Sequence, residues 1–248
     1  MDQPTLLTVI PTFNEAQNIR QLIDRLCELY PTMTILIVDD ASPDGTGQKV
    51  KDAQAVHGSR VQLLERQGKG GRGSAVLEGF KLAMQQNVDL IFEMDSDFSH
   101  EPTEIQRFLD AIPHYDMVLG SRYLPSSRIE EWGIKRTIFS RFANQYARLV
   151  LGIPITDYTN GFRCYTRKAI DALEMDRIDS KGYVVLSEVA YQLHLKGMKI
   201  GEVPTVFINR RRGISNLGWH EIREAFMSVL RIRWQYEEKK KSMQQTAV

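Results

Sequence analysis

The stretch VDLIFEMDSD, residues 88–97, joins an apolar run to two aspartates one residue apart. Val88, Leu90, Ile91, Phe92 and Met94 do not alternate with polar residues, which is how a strand buried on both faces reads. Asp95-Ser96-Asp97 follows directly. Two further runs of this kind lie upstream. LLTVI (6–10) runs into Pro11, and TILIV (34–38) ends at Asp39-Asp40 and the turn Ser42-Pro43-Asp44-Gly45. Between them Ile19, Leu22, Ile23, Leu26 and Leu29 fall at helical spacing, with Asn14 and Gln17 in the pattern of a capping box and Pro31 as the stop. A polar helix and a strand at 61–65 come next. The Gly-rich GKGGRG (68–73) then leads into a helix carrying Ala75, Leu77, Phe80, Leu82 and Ala83. Strand–helix alternation with unalternating strands predicts an α/β fold, a mostly parallel sheet with helices on both faces. In such sheets ligands bind beyond the carboxyl ends of strands. Three of those ends carry polar clusters: Thr12 to Glu15, Asp39 to Asp44, and Asp95 to His100.

The second half is less regular. DMVLG (116–120) reads as a strand running into Ser121-Arg122-Tyr123, residues 133–151 as a basic, aromatic amphipathic helix, and 183–197 as a helix ended by Gly197. Strands are expected near 199–209 and a last amphipathic helix over 219–238. This layout predicts one domain over residues 1–238 and a polar tail at 239–248, within the size range of a single hydrophobic core.

Composition narrows the function. The net charge of +1 provides no global field for nucleic acid. Cys27 and Cys164 make no disulfide framework and read as core filling. The five histidines show no zinc-like spacing, and no Gly-x-Ser-x-Gly elbow occurs. No apolar run reaches the roughly 18 residues of a membrane span. An acid and a proline near the N-terminus argue against a signal peptide. The expectation is a chain that starts near Met1 and lies on, rather than across, a bilayer.

Asp95 and Asp97 at a strand end can share one hard cation, Mg2+ or Mn2+, and leave positions open for phosphate oxygens. The alternative is a solvated loop in which Asp97 or Ser99 caps a helix starting near Glu101. At Asp39-Asp40 a carboxylate could accept from a base or ribose, or could serve the turn that follows. GKGGRG matches neither a dinucleotide fingerprint after the first strand nor a P-loop. It reads as a mobile loop over a donor with Lys69 and Arg72 near phosphate, or as a plain connection. Arg122, Arg136 and Arg210 to Arg212 suit bidentate phosphate binding. In the 133–151 helix, Ile134, Ile138, Phe142, Tyr146 and Leu149 share one face, with Lys135, Arg136, Arg141 and Arg148 largely off it. That is the pattern of an interfacial helix on an anionic membrane, or of a surface helix docked on the core.

The motifs VIPTFNEAQNI (9–19), IVDDASPDGT (37–46), GKGGRGSAVLEGF (68–80), MDSDFSHEP (94–102), GSRY (120–123), KRTIFSRFANQYARLVLG (135–152), DYTNGFRCY (157–165), KGYVVLSEV (181–189) and GEVPTVFINRRRGISNLG (201–218) occur in order. Together they resemble the dolichol-phosphate (polyprenol-phosphate) mannose synthases of glycosyltransferase family 2. The resemblance implies a GT-A, Rossmann-like fold and inverting transfer of mannose from GDP-mannose to a polyprenyl phosphate. It implies that Pro11, Phe13 and Glu15 cradle the guanosine and that Val38 and Asp40 complete the base and ribose pocket. Asp95 and Asp97 would hold the divalent cation, with Ser96 at the donor. Arg122 and Arg210 would face the donor phosphates, and Arg136 and Ser140, one helical turn apart, the acceptor phosphate. Asp97, Arg122, Arg136 and Ser140 are then the residues expected to carry the reaction. A phosphate monoester, with a second pKa near about 6, is already an anionic nucleophile and requires no general base. For a hydroxyl acceptor, Glu188 or Asp157 would be the base. Many relatives carry lysine where Asn216 stands and glutamine where Leu186 stands. These departures motivate the alternative of UDP-glucose or another donor, or a sugar hydroxyl acceptor. The chain resembles the short, catalytic-domain-only class, expected on the cytoplasmic face of a membrane, peripherally or through a membrane-anchoring partner.

Overall fold

The computed structural model describes residues 3–130, 132–208 and 219–246. In chain order the elements are β1 (Leu6–Thr12), α1 (Ile19–Leu29), β2 (Thr34–Asp39), α2 (Thr46–His57), β3 (Val61–Glu65), α3 (Arg72–Met84), β4 (Leu90–Glu93) and α4 (Ile105–Ala111). There follow β5 (Met117–Ser121), β6 (Arg128–Glu130), α5 (Ile134–Leu151), β7 (Arg163–Thr166), α6 (Arg167–Asp171), α7 (Val184–Leu195), β8 (Ile200–Pro204), β9 (Val206–Ile208) and α8 (Trp219–Thr246).

Seven strands form one sheet in the order β3-β2-β1-β4-β7-β5-β8. Its pairs are parallel except that β7 runs antiparallel to both β4 and β5. Period-2 alternation explains why β1 and β2 read as unbroken apolar runs. Leu7, Val9, Leu36 and Val38 pack on one face with Phe80 of α3, Ala147 of α5 and Val189 of α7. Leu6, Ile10, Ile35 and Ile37 pack on the other with Leu22, Val50 and Phe108 of α1, α2 and α4. The chain winds outward from β1 through β2 to β3, then returns to place β4 on the other side of β1. The order therefore reverses between β1 and β4, and a crevice opens at their carboxyl ends. Cys27 and Cys164 are buried, unbridged core residues.

Several expectations change. Asn14 does not open a capping box: α1 begins at Ile19, and Asn14 lies at φ 62° with its N–H donating to Ser42 Oγ at 2.9 Å. The chain leaving β1 turns to form the crevice wall before it can become helical. The region near 199–209 holds two strands in different sheets, because β9 leaves the main sheet to pair with β6. The break falls at Thr205, whose hydroxyl donates to Glu104 Oε2 at 2.5 Å. The last helix continues past residue 238 to Thr246, as expected of a Glu- and Lys-rich run with good helix propensity. No described helix is long and apolar enough to cross a membrane.

Candidate active site

Two cavities meet at the carboxyl ends of β1, β2 and β4. The first, of about 210 Å3, is polar and lined by Pro11, Thr12, Phe13, Glu15, Asp40, Lys69, Gly71, Arg72, Ala75, Asp95, Ser96 and Tyr183. Glu15 is held beneath Phe13 by its own N–H donating to Thr46 Oγ1 at 2.9 Å and by Asn18 Nδ2 donating to its Oε2 at 2.9 Å. Lys69 Nζ sits 3.9 Å above the Phe13 ring, a cation–π contact that closes the cavity from the Gly-rich side. Val38 differs from expectation. It is fully buried in the core facing α3, because β2 alternation turns it away from the cavity.

Asp40 reaches the cavity, but as the anchor of the Gly-rich loop. It accepts from Arg66 Nη1 at 2.6 Å, Gly70 N at 2.9 Å and Gly71 N at 2.6 Å. Those donors take three of the roughly four acceptor positions of a carboxylate. The loop is therefore tied down rather than free over a donor. Asp39 serves the turn, accepting from Thr12 Oγ1, Ser42 N and Ser42 Oγ at 2.6–2.9 Å.

Asp95 and Asp97 follow β4 on a loop fixed by a buried imidazole. The Asp95 N–H donates to His100 Nδ1 at 3.0 Å, which places the ring proton on Nε2, 2.7 Å from Asn160 Oδ1. His100 stacks on Phe162 with centroids 4.9 Å apart. Asp97 is 8% exposed, and its Oδ1 accepts from Ser99 N at 3.0 Å. Ser99 is thus gathered into the aspartate loop, and α4 begins only at Ile105. Arg72 lines the polar cavity, and its guanidinium is also engaged by two carboxylates. Its Nε donates to Asp95 Oδ1 at 2.9 Å, and its Nη1 lies 2.8 Å from Oε1 of fully buried Glu93. One of these carboxylates, Glu93, is buried, and the other, Asp95, is half-buried at the junction of the cavities. Burial opposes the Arg72 charge, but Asp95 and Glu93 prevail and hold its pKa above the ordinary value. Among the described residues no group of three or more His, Cys, Asp or Glu could hold a metal ion. Asp95 and Asp97 are a hard-oxygen pair that suits Mg2+ or Mn2+ once phosphate oxygens complete the set.

Among the described residues, three non-glycine residues adopt left-handed backbone, Asn14 (φ 62°), Ala41 (φ 59°) and Phe98 (φ 61°). One stands behind each of β1, β2 and β4.

The second cavity, of about 260 Å3, shares Asp95 and Tyr183 with the first. Arg122, Arg136 and Ser140 stand in its wall with Phe139, Ala143, Tyr146, Phe226 and Val229. Arg122 is clamped by Asp157, with Nε to Oδ2 at 2.7 Å and Nη2 to Oδ1 at 2.8 Å. Arg136 lies 4.2 Å over the Trp132 ring, and Arg122 is 5.3 Å from the same ring. The small β6–β9 sheet brings Trp132 and Phe207 edge to face at 5.4 Å. Burial and the neighbouring Arg122 charge hold the Arg136 pKa below the usual guanidinium value. Two cations aimed into one apolar cavity are a site for an anion with an apolar tail. Ser140 Oγ accepts from Tyr123 OH at 2.6 Å. Arg122 thus borders this cavity rather than the first, and Arg210 lies outside the described residues.

Glu188 and Asp157, the carboxylates considered for a hydroxyl acceptor, both take part in hydrogen bonds with neighbouring groups. Glu188 accepts from Ser180 N at 3.0 Å and Tyr236 OH at 3.2 Å, and Asp157 holds Arg122. Burial alone would raise the Asp157 carboxyl, but Arg122 and backbone N–H donors outweigh it and hold the pKa below its ordinary value. Its stabilising contribution is therefore complete above the unfolded value of about 3.9 and lost as pH falls through the lower folded value. Asp157→Asn leaves Arg122 a buried, unpaired cation and is expected to cost about 3–5 kcal/mol. That is a melting temperature lower by on the order of 10 °C. The deficit should be constant around neutral pH and shrink only well below pH 4, as followed by thermal melts across pH.

Trp132, Tyr183 and Phe207 were not marked by sequence as site residues, and His100 only as the end of the third polar cluster. Only the proximity of Trp132 to Arg136 could have hinted at one of them.

The family 2 glycosyl transferase model matches residues 8–174, and the chain belongs to that family. A polyprenol monophosphomannose synthase of Mycolicibacterium smegmatis is 37% identical over 90% of this chain and 84% of its own length. An undecaprenyl-phosphate mannosyltransferase of Micrococcus luteus is 36% identical over 93% of this chain and 96% of its own. Among solved structures, glucosyl-3-phosphoglycerate synthase of Mycobacterium tuberculosis in complex with Mn2+, UDP and glucosyl-3-phosphoglycerate superposes with a TM-score of 0.64 at 18% identity. It covers 92% of this chain and 78% of that one. The likeness establishes the GT-A fold.

Proposed function

We propose that the chain transfers mannose from GDP-mannose to a polyprenyl phosphate, with inversion at the anomeric carbon. One observation carries the reading: a polar cavity and an apolar, arginine-lined cavity meet at Asp95 and Tyr183. Pro11, Phe13, Glu15 and Ser96 suit the nucleotide side, and Arg136 and Ser140 the acceptor phosphate. An acceptor phosphate oxygen forms the bond to the anomeric carbon as the bond to the nucleoside diphosphate breaks. Arg122 and Arg136 hold that phosphate in line, and alignment and fixed charge carry the rate. Asp95 and Asp97 would hold a divalent cation, which when bound offsets charge on the departing diphosphate. The manganese in the mycobacterial synthase and the names of the curated relatives support this assignment.

The helices beside the apolar cavity support a peripheral position on the cytoplasmic face of a membrane, with or without an anchoring partner. Ile134, Ile138, Phe142 and Leu149 of α5 are 62–79% exposed, and Met227, Leu230 and Trp234 of α8 continue the apolar surface. Tyr146, expected on this face, instead donates to Phe226 O at 3.0 Å and joins the two helices.

UDP-glucose is the second reading, favoured by the donor bound in structural neighbours. The Leu186 departure adds little to it. That side chain is 1% exposed in α7 and lines neither cavity. Asn216 lies outside the described residues. Purified chain, given radiolabelled GDP-mannose or UDP-glucose, a short polyprenyl phosphate in vesicles and Mg2+ or Mn2+, is expected to move label into lipid from GDP-mannose alone. Transfer from UDP-glucose instead would overturn the sugar, and no transfer from either would overturn the acceptor.

A further inference from the structure

Arg72 opens α3 between the two cavities, where its guanidinium joins carboxylates of two kinds. Nη1 reaches Glu93 at 2.8 Å, a residue with 1% side-chain exposure, while Nε and Nη2 both lie 2.9 Å from Asp95 Oδ1. The Tyr183 ring covers the guanidinium at 5.2 Å. Gly161 completes the seat, since a Cβ there would collide with Arg72 Nη2. A dication bound through Asp95 must therefore share that carboxylate with a fixed positive charge. Arg72 also lines the donor cavity, so an incoming diphosphate offers it a second anion and adds negative charge for the cation.

We propose that Arg72 is a positioning residue that makes cation binding depend on the donor, by holding Asp95 until the nucleoside diphosphate arrives. The proposal rests on the reading of Asp95 and Asp97 as cation ligands. It concerns the coupling between cation and nucleotide, which is reciprocal by linkage. Removing the guanidinium removes the repulsion, so the cation binds better alone and the gain from nucleotide shrinks to what the phosphate oxygens themselves contribute as ligands.

The test is Mn2+ titration of the purified chain by electron paramagnetic resonance, with and without GDP. Arg72→Gln strands the buried Glu93 carboxylate, so the paired variant Arg72→Gln with Glu93→Gln accompanies it. Gly161→Ala displaces the guanidinium while keeping its charge. For wild type, GDP is expected to tighten Mn2+ binding at least about tenfold, and Arg72→Lys to stay near that behaviour. The paired variant is expected to bind Mn2+ alone about tenfold more tightly than wild type, with the tightening by GDP reduced about tenfold from the wild-type value. Gly161→Ala should shift both quantities in the same direction. Unchanged or weaker Mn2+ affinity in the paired variant, with its circular dichroism intact, would overturn the role of Arg72. Asp97→Ala separates the two ideas: it should abolish Mn2+ binding, and wild-type binding there would bring down the cation-ligand reading and this inference with it.

Discussion

Asp97→Asn is expected to lower the transfer rate by about 10²–10³-fold at saturating donor and acceptor. The asparagine carbonyl can still accept from Ser99 N, the bond that shapes the loop at 3.0 Å. The loop therefore keeps its form and loses only the charge. Ser96, just before it, is buried, and His100 holds the Asp95 backbone, so the change has little room to spread. A cation bound through one carboxylate less leaves the departing diphosphate under-neutralised, which acts on the chemical step. The check is kcat with a matched circular dichroism spectrum. A loss under tenfold would mean that Asp97 shapes the loop and does nothing at the leaving group.

Arg136→Gln is expected to raise KM for the polyprenyl phosphate about 10–100-fold, the loss of a charge-assisted bond to a partly desolvated anion. The affinity for GDP should change less than twofold, because Arg136 lines the apolar cavity and not the nucleotide cavity. Stacking on Trp132 at 4.2 Å holds the guanidinium plane in place. Arg136→Lys keeps the charge without the planar fork and should recover only part of the loss. Steady-state kinetics in the acceptor, paired with calorimetric titration of GDP, separates the two sides. Equal weakening of both would place Arg136 at the shared junction instead.

The sequence carried the nucleotide half of the molecule well, for a physical reason. LLTVI, TILIV and VDLIFEM are buried on both sheet faces, so their composition alone marks them as central strands, and polar residues at their ends mark the crevice. Arg136 and Ser140 were paired by the resemblance to a known family, and both line the apolar cavity, one helical turn apart. Other features depend on contacts between distant segments. Strand β7 holds only Arg163 to Thr166, and its buried arginine, donating to the carbonyls of Tyr158, Asn160 and Leu186, hides its β character. Trp132 and Phe207 meet only because β6 pairs with β9 across 78 residues of sequence. The sequence places Arg72 near phosphate but gives no sign of Glu93 behind it. Glu188 reads as a base for a hydroxyl acceptor, and the Tyr236 hydroxyl that donates to it comes from α8, far along the chain.

The left-handed residues behind β1, β2 and β4 set a limit on how stable this chain can become without altering its crevice. Asparagine tolerates that conformation through its short polar side chain, whereas alanine and phenylalanine do not. Ala41 and Phe98 thus each hold local strain on the order of 1 kcal/mol or more. Sequence drift towards relaxed backbone would be rewarded by greater thermal tolerance and opposed by loss of the loop shapes that present Asp40 and Asp97. These two positions are where selection for robustness and selection for turnover pull the same chain in opposite directions.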